Sequence, residues 1–414
     1  MANSTSRGAL ILRNVRPWGG EPAEVIIPDD GHIGEVRPLA SGAPRQSGPD
    51  DVVVEGRGRI LVPSFADVHV HLDSNRLELP FRPHTGAPGV WGMMLNDRNN
   101  WRDAEVSITE RTTTALRMAI ERGTTRVRTY AQVDVDAGLE RFEAVVAAQE
   151  EFAGRCEVEI IAFPQAGLLK EKGSAEVLER AVQAGADVVG GIDPCQLDRD
   201  PVRHLDIVFG LAEKYGVPVD VHLHEPAELA RFSTELILDR TEALGMTGNV
   251  SISHGYGLSA LPEAQRREIF ERMGRLDVAM ATIAPMSGPL PLAELAQAGV
   301  RVGLGQDGQR DYWSPYGNAD MLDRTWQLAF THGYRQDEMI EHCLAVAGVG
   351  GASLLDPAGP RLYGVDDRPG VDVGDVADLV LLAGDTPTAA VMDRSPDRTV
   401  IHRGRVVADQ LELV

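Results

Sequence analysis

A chain of 414 residues, 43% hydrophobic and 25% charged, has an ordinary soluble balance; it is too long for one small core and suits a large α/β barrel with a smaller appended domain. Sixty-two Asp and Glu against forty Lys and Arg leave a formal charge of −22, which argues against nucleic acid or an anionic membrane surface as partner, since both reward a basic footprint. Three scattered cysteines, Cys156, Cys195 and Cys343, lack CxxC spacing and exclude a disulfide framework or a zinc ribbon.

Met1 to Gly8 is polar, and Ala9–Leu12 is too short for the apolar segment of a signal peptide. No uninterrupted apolar run reaches spanning length, so the expected compartment is the cytoplasm, without a membrane partner. Residues 8–60 read as short strands at Ala9–Leu12, Ala23–Ile27 and Val52–Val54. Turn chemistry separates them at Gly19-Gly20, Pro28-Asp29-Asp30-Gly31 and Ser41-Gly42-Ala43-Pro44. The middle alternates β-branched apolar runs with amphipathic stretches, the sign of βα units and a parallel sheet. Candidate strands fall at 61–69, 125–133, 157–163, 186–191, 217–222, 249–254, 277–283 and 300–305. Helical patterns lie between them, for instance Ile108–Arg122, Leu139–Phe152, Ser174–Ala184, Leu205–Tyr215 and Pro262–Arg272. The last fifty or so residues return to strands and a hairpin. The expected architecture is a (β/α)8 TIM-type barrel over 61–364, with a small β-sandwich domain built from both termini, residues 1–60 and 365–414.

The active face of such a barrel lies at the C-terminal ends of its strands. Metal-type ligands stand at those ends: His69 and His71 on the first, His222 on the fifth, His254 on the sixth and Asp307 after the eighth. In His69-Val70-His71 the period of two turns both imidazoles to one side, whereas an isolated His is more often a satisfied core residue. His222 and Asp307 complete a set of nitrogen and oxygen ligands suited to one divalent ion, zinc or iron, that activates water. Taken alone, Asp307 in Gln306-Asp307-Gly308 is also good turn chemistry. His254 is a fourth nitrogen ligand or, in preference, a proton carrier beside the ligands. Glu225, three residues beyond His222, is either a solvated loop acid or a carboxyl group placed to protonate a leaving or ring nitrogen. His224 is placed behind the ligands, and His84 in a surface loop near the mouth. The fourth strand, Ala186–Gly191, has no Lys to bridge two ions, which favours a single metal.

With these residues in place the chain resembles the amidohydrolase superfamily, in its cytosine deaminase-like branch. The resemblance rests on His69-Val70-His71-Leu72-Asp73, Ala162–Gly167, Val221-His222-Leu223-His224-Glu225, Ser253-His254 and the stretch Asp307–Leu322, and it runs from Leu61 to about Leu355. It implies one divalent metal held by His69, His71, His222 and Asp307. It further implies that Glu225 shuttles protons, that His254 orients the attacking hydroxide, that Gln165 reads a cyclic amide and that Trp313 walls the pocket. Two positions depart from the branch: Gly308 stands where relatives carry a second Asp, and Tyr130 where they carry His.

The implied reaction is hydrolytic deamination of a small nitrogen heterocycle, with cytosine or a close pyrimidine analogue first and an s-triazine or other cyclic amidine second. A catalytically silent barrel scaffold is the non-enzyme alternative; it predicts gaps in the ligand set, and none occurs. The expected partner is a small heterocyclic substrate, and a homo-oligomer is compatible with a barrel of this kind.

Overall fold

Eight parallel strands close into a ring in chain order: β1 Phe65–Val70, β2 Thr124–Gln132, β3 Glu157–Phe163, β4 Val188–Ile192, β5 Val219–Leu223, β6 Val250–His254, β7 Ala279–Thr282 and β8 Val302–Leu304. The computed structural model describes residues 8–41, 45–83 and 85–414; Gly42–Pro44 of the expected turn, His84 and the first seven residues lie outside them. Every residue of β1, β4, β5, β6, β7 and β8 is buried, as expected for a sheet covered on its outer face by helices.

Local signals place the helices. Ser107 accepts from the amide of Glu110 and caps Ile108–Glu121. Asp200 caps Pro201–Tyr215, which has Pro at its start and ends at Gly216 in the left-handed region, φ 69°. The parallel register between β5 and β6 pairs His222 with Ser253 and Leu223 with His254, so both strands deliver their histidines at one level.

The first expected strand, 61–69, is two strands. Ile60–Pro63 pairs antiparallel with Leu379–Leu382 in the terminal sheet, and only after Ser64 does the chain enter the barrel as β1. Among the described residues that terminal sheet holds nine strands from both ends of the chain, and its core gathers Leu12, Val25, Leu61, Leu379, Leu381 and Ile401. Arginines of the C-terminal segment tie it to the elements that follow β8: Arg394 lies over the Trp326 ring, 4.7 Å from its centre. Arg398 donates from both terminal nitrogens to the carboxylate of Asp320, at 2.8 and 2.9 Å, at the end of the loop that follows β8.

One apolar run exceeds what the sequence suggested. Asp337–Leu355 forms 19 residues of helix with mean hydropathy 1.2, long and apolar enough by composition to cross a membrane. Most of it is buried in the fold. Gly351 lies against β1, where an added β-carbon would stand 2.6 Å from the Ala66 carbonyl oxygen. It is a core helix.

Candidate metal centre and its cavity

β1 and β8 meet closely enough to bring their ligands together because Gly305 has no side chain: a β-carbon there would lie 2.6 Å from the His69 carbonyl oxygen. Asp307 then pairs with Val70 as a parallel bridge. Its Oδ1 lies 3.5 Å from His69 Nε2 and 3.3 Å from His71 Nε2. Beneath them the buried Asp67 carboxylate accepts from the amides of His69 and Gln306, and burial pushes it up to about 7. From the far side β5 and β6 bring His222 and His254, whose ring centres each lie 4.6 Å from that of His69. Asp307 and His254 both hold left-handed backbone, at φ 62° and 66°, a conformation non-glycine residues keep only where surroundings impose it.

Two overlapping sets, His69 with His71 and His222, and His69 with His254 and Asp307, each present one ligand atom within 4.8 Å of the others. Both ring nitrogens of His69, both of His222 and Nε2 of His254 are buried without a hydrogen-bond partner. Buried polar atoms left unpaired are costly, and a divalent cation among them removes that cost. The protonation states agree. Burial lowers His69 and drives His222 and His254 well below the usual imidazole range, which leaves them neutral. Burial pushes the Asp307 carboxyl up, but the His69 and His71 rings set against it outweigh that and hold the group well below the usual carboxylate range. Neutral imidazoles and an ionised carboxylate are the forms a metal requires; His71 differs, since Asp307 outweighs burial and raises it, so a metal there would displace its proton.

Tyr130, the departure noted in the sequence, lies under this cluster. Its ring centre is 4.4 Å from those of both His69 and His222, and its hydroxyl is tied to Asp220 and Ser253 at 3.1 and 2.6 Å. Phe163 stacks on His222 at 4.1 Å. Together these rings brace the imidazoles from below.

Above the cluster opens a cavity of about 790 Å³. His71, His222, His254 and Asp307 line its floor, and Gln165 and Trp313 line its sides. Its outer wall is apolar, from Ile283, Pro285, Met286, Trp326 and Phe330. His254 Nδ1 is tied to the Tyr256 hydroxyl at 2.8 Å, which leaves Nε2 for the cluster.

Glu225, unlike the buried His69, lies outside the histidine cluster as well as outside the cavity lining. It is fully buried and is not among the residues that line the cavity. Oε1 accepts from the amides of Cys195 and Gln196 at 2.7 and 2.8 Å, and Oε2 from the Ser233 hydroxyl at 2.6 Å. His224, which does line the cavity, is gripped by Asp193 through its backbone amide at 2.7 Å and its Nδ1 at 2.8 Å. Asp193 and Asp311 escaped sequence reasoning because acids in loops carry no periodic signal.

The sequence profile of the amidohydrolase family matches residues 90–408. The chain is 27% identical over 364 residues to the N-isopropylammelide isopropyl amidohydrolase of Pseudomonas sp. (strain ADP), covering 86% of this chain and 87% of that protein. It is similar to the crystal structure of N-isopropylammelide isopropylaminohydrolase from Burkholderia multivorans ATCC 17616, with a TM-score of 0.89, 36% identity and coverage of 98% of this chain and 100% of that one. The crystal structure of 5-methylcytosine deaminase from Klebsiella pneumoniae liganded with 5-fluorocytosine is similar with a TM-score of 0.79 at 25% identity, covering 96% and 97% of the two chains.

Proposed function

The chain belongs to the amidohydrolase family, hydrolases of carbon–nitrogen bonds, in its cytosine deaminase-like branch, and from that premise we propose that it removes an amino or alkylamino group from a small nitrogen heterocycle by hydrolysis. The observation that carries this reading is the gathering of His71, His222, His254 and Asp307 at the floor of one large, partly apolar cavity, with His69 buried directly among them. N-alkylamino s-triazines are the first substrate class. Two relatives are named for N-isopropylammelide, and the apolar wall of Ile283, Met286, Trp326 and Phe330 suits an alkyl substituent that a bare pyrimidine lacks. Cytosine-type pyrimidines are the second class, supported by the likeness to 5-methylcytosine deaminase.

His69, His71, His222 and Asp307 are the residues proposed to hold one zinc or iron ion. When bound, that ion supplies Lewis-acid activation of water and stabilises developing negative charge. His254, held by Tyr256, directs its Nε2 toward Asp307 and His69 and carries the proton between the attacking water and the leaving nitrogen. Gln165 hydrogen-bonds the ring amide, and Trp313 covers one side of the ring. Glu225 acts as a positioning residue: it pins Cys195 and Gln196, and so the loop from which Asp193 holds His224 against the cavity.

The test is a product screen with zinc- or iron-reconstituted protein on N-isopropylammelide, other aminotriazines, cytosine, 5-methylcytosine and pterin. Release of ammonia or alkylamine with the ring intact is expected. Ring opening, or inertness toward every heterocycle, would overturn the proposal.

A further inference from the structure

Gly308 follows Asp307 and lines the cavity, yet its backbone does not need glycine, since it is not among the residues with positive φ. What bars a side chain is Asp311. A β-carbon at 308 would collide with Asp311 Oδ2 and stand 2.9 Å from its Cγ. The end of a flexible side chain normally yields to such a collision, but this one is pinned. Asp311 is buried, its Oδ1 accepts from the amides of Trp313 and Ser314 at 2.8 Å each, and its Oδ2 accepts from the Ser74 hydroxyl at 3.2 Å. The loop around it is equally tied down: Arg310 donates its amide to Tyr316, and Ala319 its amide to the Gln309 side chain at 2.6 Å. Asp311, Ser74 and Gly308 all line the same cavity as Asp307.

We propose that Gly308 and Asp311 form one recognition unit, in which the absent side chain at 308 makes room for the Asp311 carboxylate and Oδ2 accepts a hydrogen bond from a ring N–H or amino N–H of the bound heterocycle. A carboxylate oxygen accepts more than one hydrogen bond, so Oδ2 takes the substrate without releasing Ser74. The same carboxylate holds the amide of Trp313, so one residue sets both a polar contact and the wall of the ring pocket. The inference rests on the heterocycle reading above for the nature of the ligand, but the interlock with Gly308 does not.

The test is a double-mutant cycle on zinc-loaded protein with Gly308→Ala, Asp311→Ser and the pair, together with Asp311→Asn, which keeps the volume and removes the carboxylate. Melting temperature, zinc content and kcat and KM for N-isopropylammelide and cytosine are measured. Gly308→Ala is expected to lower Tm by about 2–4 °C and to raise KM about tenfold, with zinc retained and kcat changed less than about threefold. In the Asp311→Ser background, where the collision is gone, the same substitution is expected to change neither Tm nor KM. Asp311→Asn is expected to raise KM about tenfold at unchanged kcat. Additive effects in the cycle would overturn the interlock, and an unchanged KM in Asp311→Asn would overturn the recognition role. If the wild-type protein turns over no heterocycle, the functional reading and this recognition role both fail, and the Tm cycle alone still decides the interlock.

Discussion

The backbone amide of Asp307 donates to the carbonyl of His69 across 2.6 Å, and this one hydrogen bond both joins the last barrel strand to the first and sets the carboxylate against two imidazoles. Asp307 reaches that place only in a left-handed conformation, which for a non-glycine residue costs about 1–3 kcal/mol. Barrel closure and ligand assembly are therefore the same event.

Replacing Asp307 by Asn removes the anionic ligand and keeps the turn, because Asn tolerates left-handed backbone well. Zinc content is expected to fall far below one per chain, and activity by at least about 100-fold. The melting temperature of the metal-free protein should not drop. Metal analysis with calorimetry checks this; a variant that keeps full zinc and full activity would remove Asp307 from the ligand set.

Chelation should destabilise the native protein. The unpaired nitrogens of His69, His222 and His254 gain partners from a bound cation, and any ligand that binds the folded state alone raises stability by mass action. At a free metal concentration about 100 times the dissociation constant the gain is about 2.7 kcal/mol. Tm should fall with chelator and return on adding zinc or iron; a Tm indifferent to both would leave the cluster without a metal.

Glu225 and His254 should respond differently to substitution. His254 faces the cavity, so His254→Ala is expected to lower kcat by roughly 10²–10⁴ with zinc retained. Glu225→Gln puts an N–H donor where the carboxylate met only donors, from Cys195, Gln196 and Ser233. Its main effect should be a stability loss of about 1–3 kcal/mol with a much smaller change in kcat. A kcat loss as large as that of His254→Ala, at unchanged Tm, would restore Glu225 as the proton shuttle.

Asp311 carries a pH signature. Burial, reinforced by the charges of Asp307 and Asp97, pushes its carboxyl from 3.8 up to about 7. Between those values the folded state holds a proton that the unfolded state has lost, so the contribution of Asp311 to stability falls as pH rises through this window. Asp311→Asn should therefore gain stability relative to wild type between pH 5 and 8, on the order of 1 kcal/mol or more. Denaturation at both pH values checks the sign, and the opposite slope would mean the carboxylate is stabilised as an anion.

Much of the barrel was legible because its signals are local. β-branched runs and amphipathic spacing placed the strands and helices to within a few residues; the helix expected from Leu205 starts earlier, at Pro201, where Asp200 caps it. The split at Ser64 was not legible, since Pro63 and Ser64 interrupt the run by only two residues and only pairing partners assign Ile60–Pro63 to the terminal sheet. The length of the buried helix at Asp337–Leu355 was likewise hidden, because its apolar run is interrupted by polar residues near its start.

By itself the sequence determined which residue types could hold a metal and on which strand ends they stand, because side-chain alternation along a strand is a property of neighbouring residues. Only the tertiary structure decided that Glu225 turns away from the cavity while Asp311 fills the space that Gly308 leaves beside Asp307. The direction of a loop side chain is set by distant partners: Glu225 is held from 30 residues away by Cys195, and Asp311 from 237 residues away by Ser74.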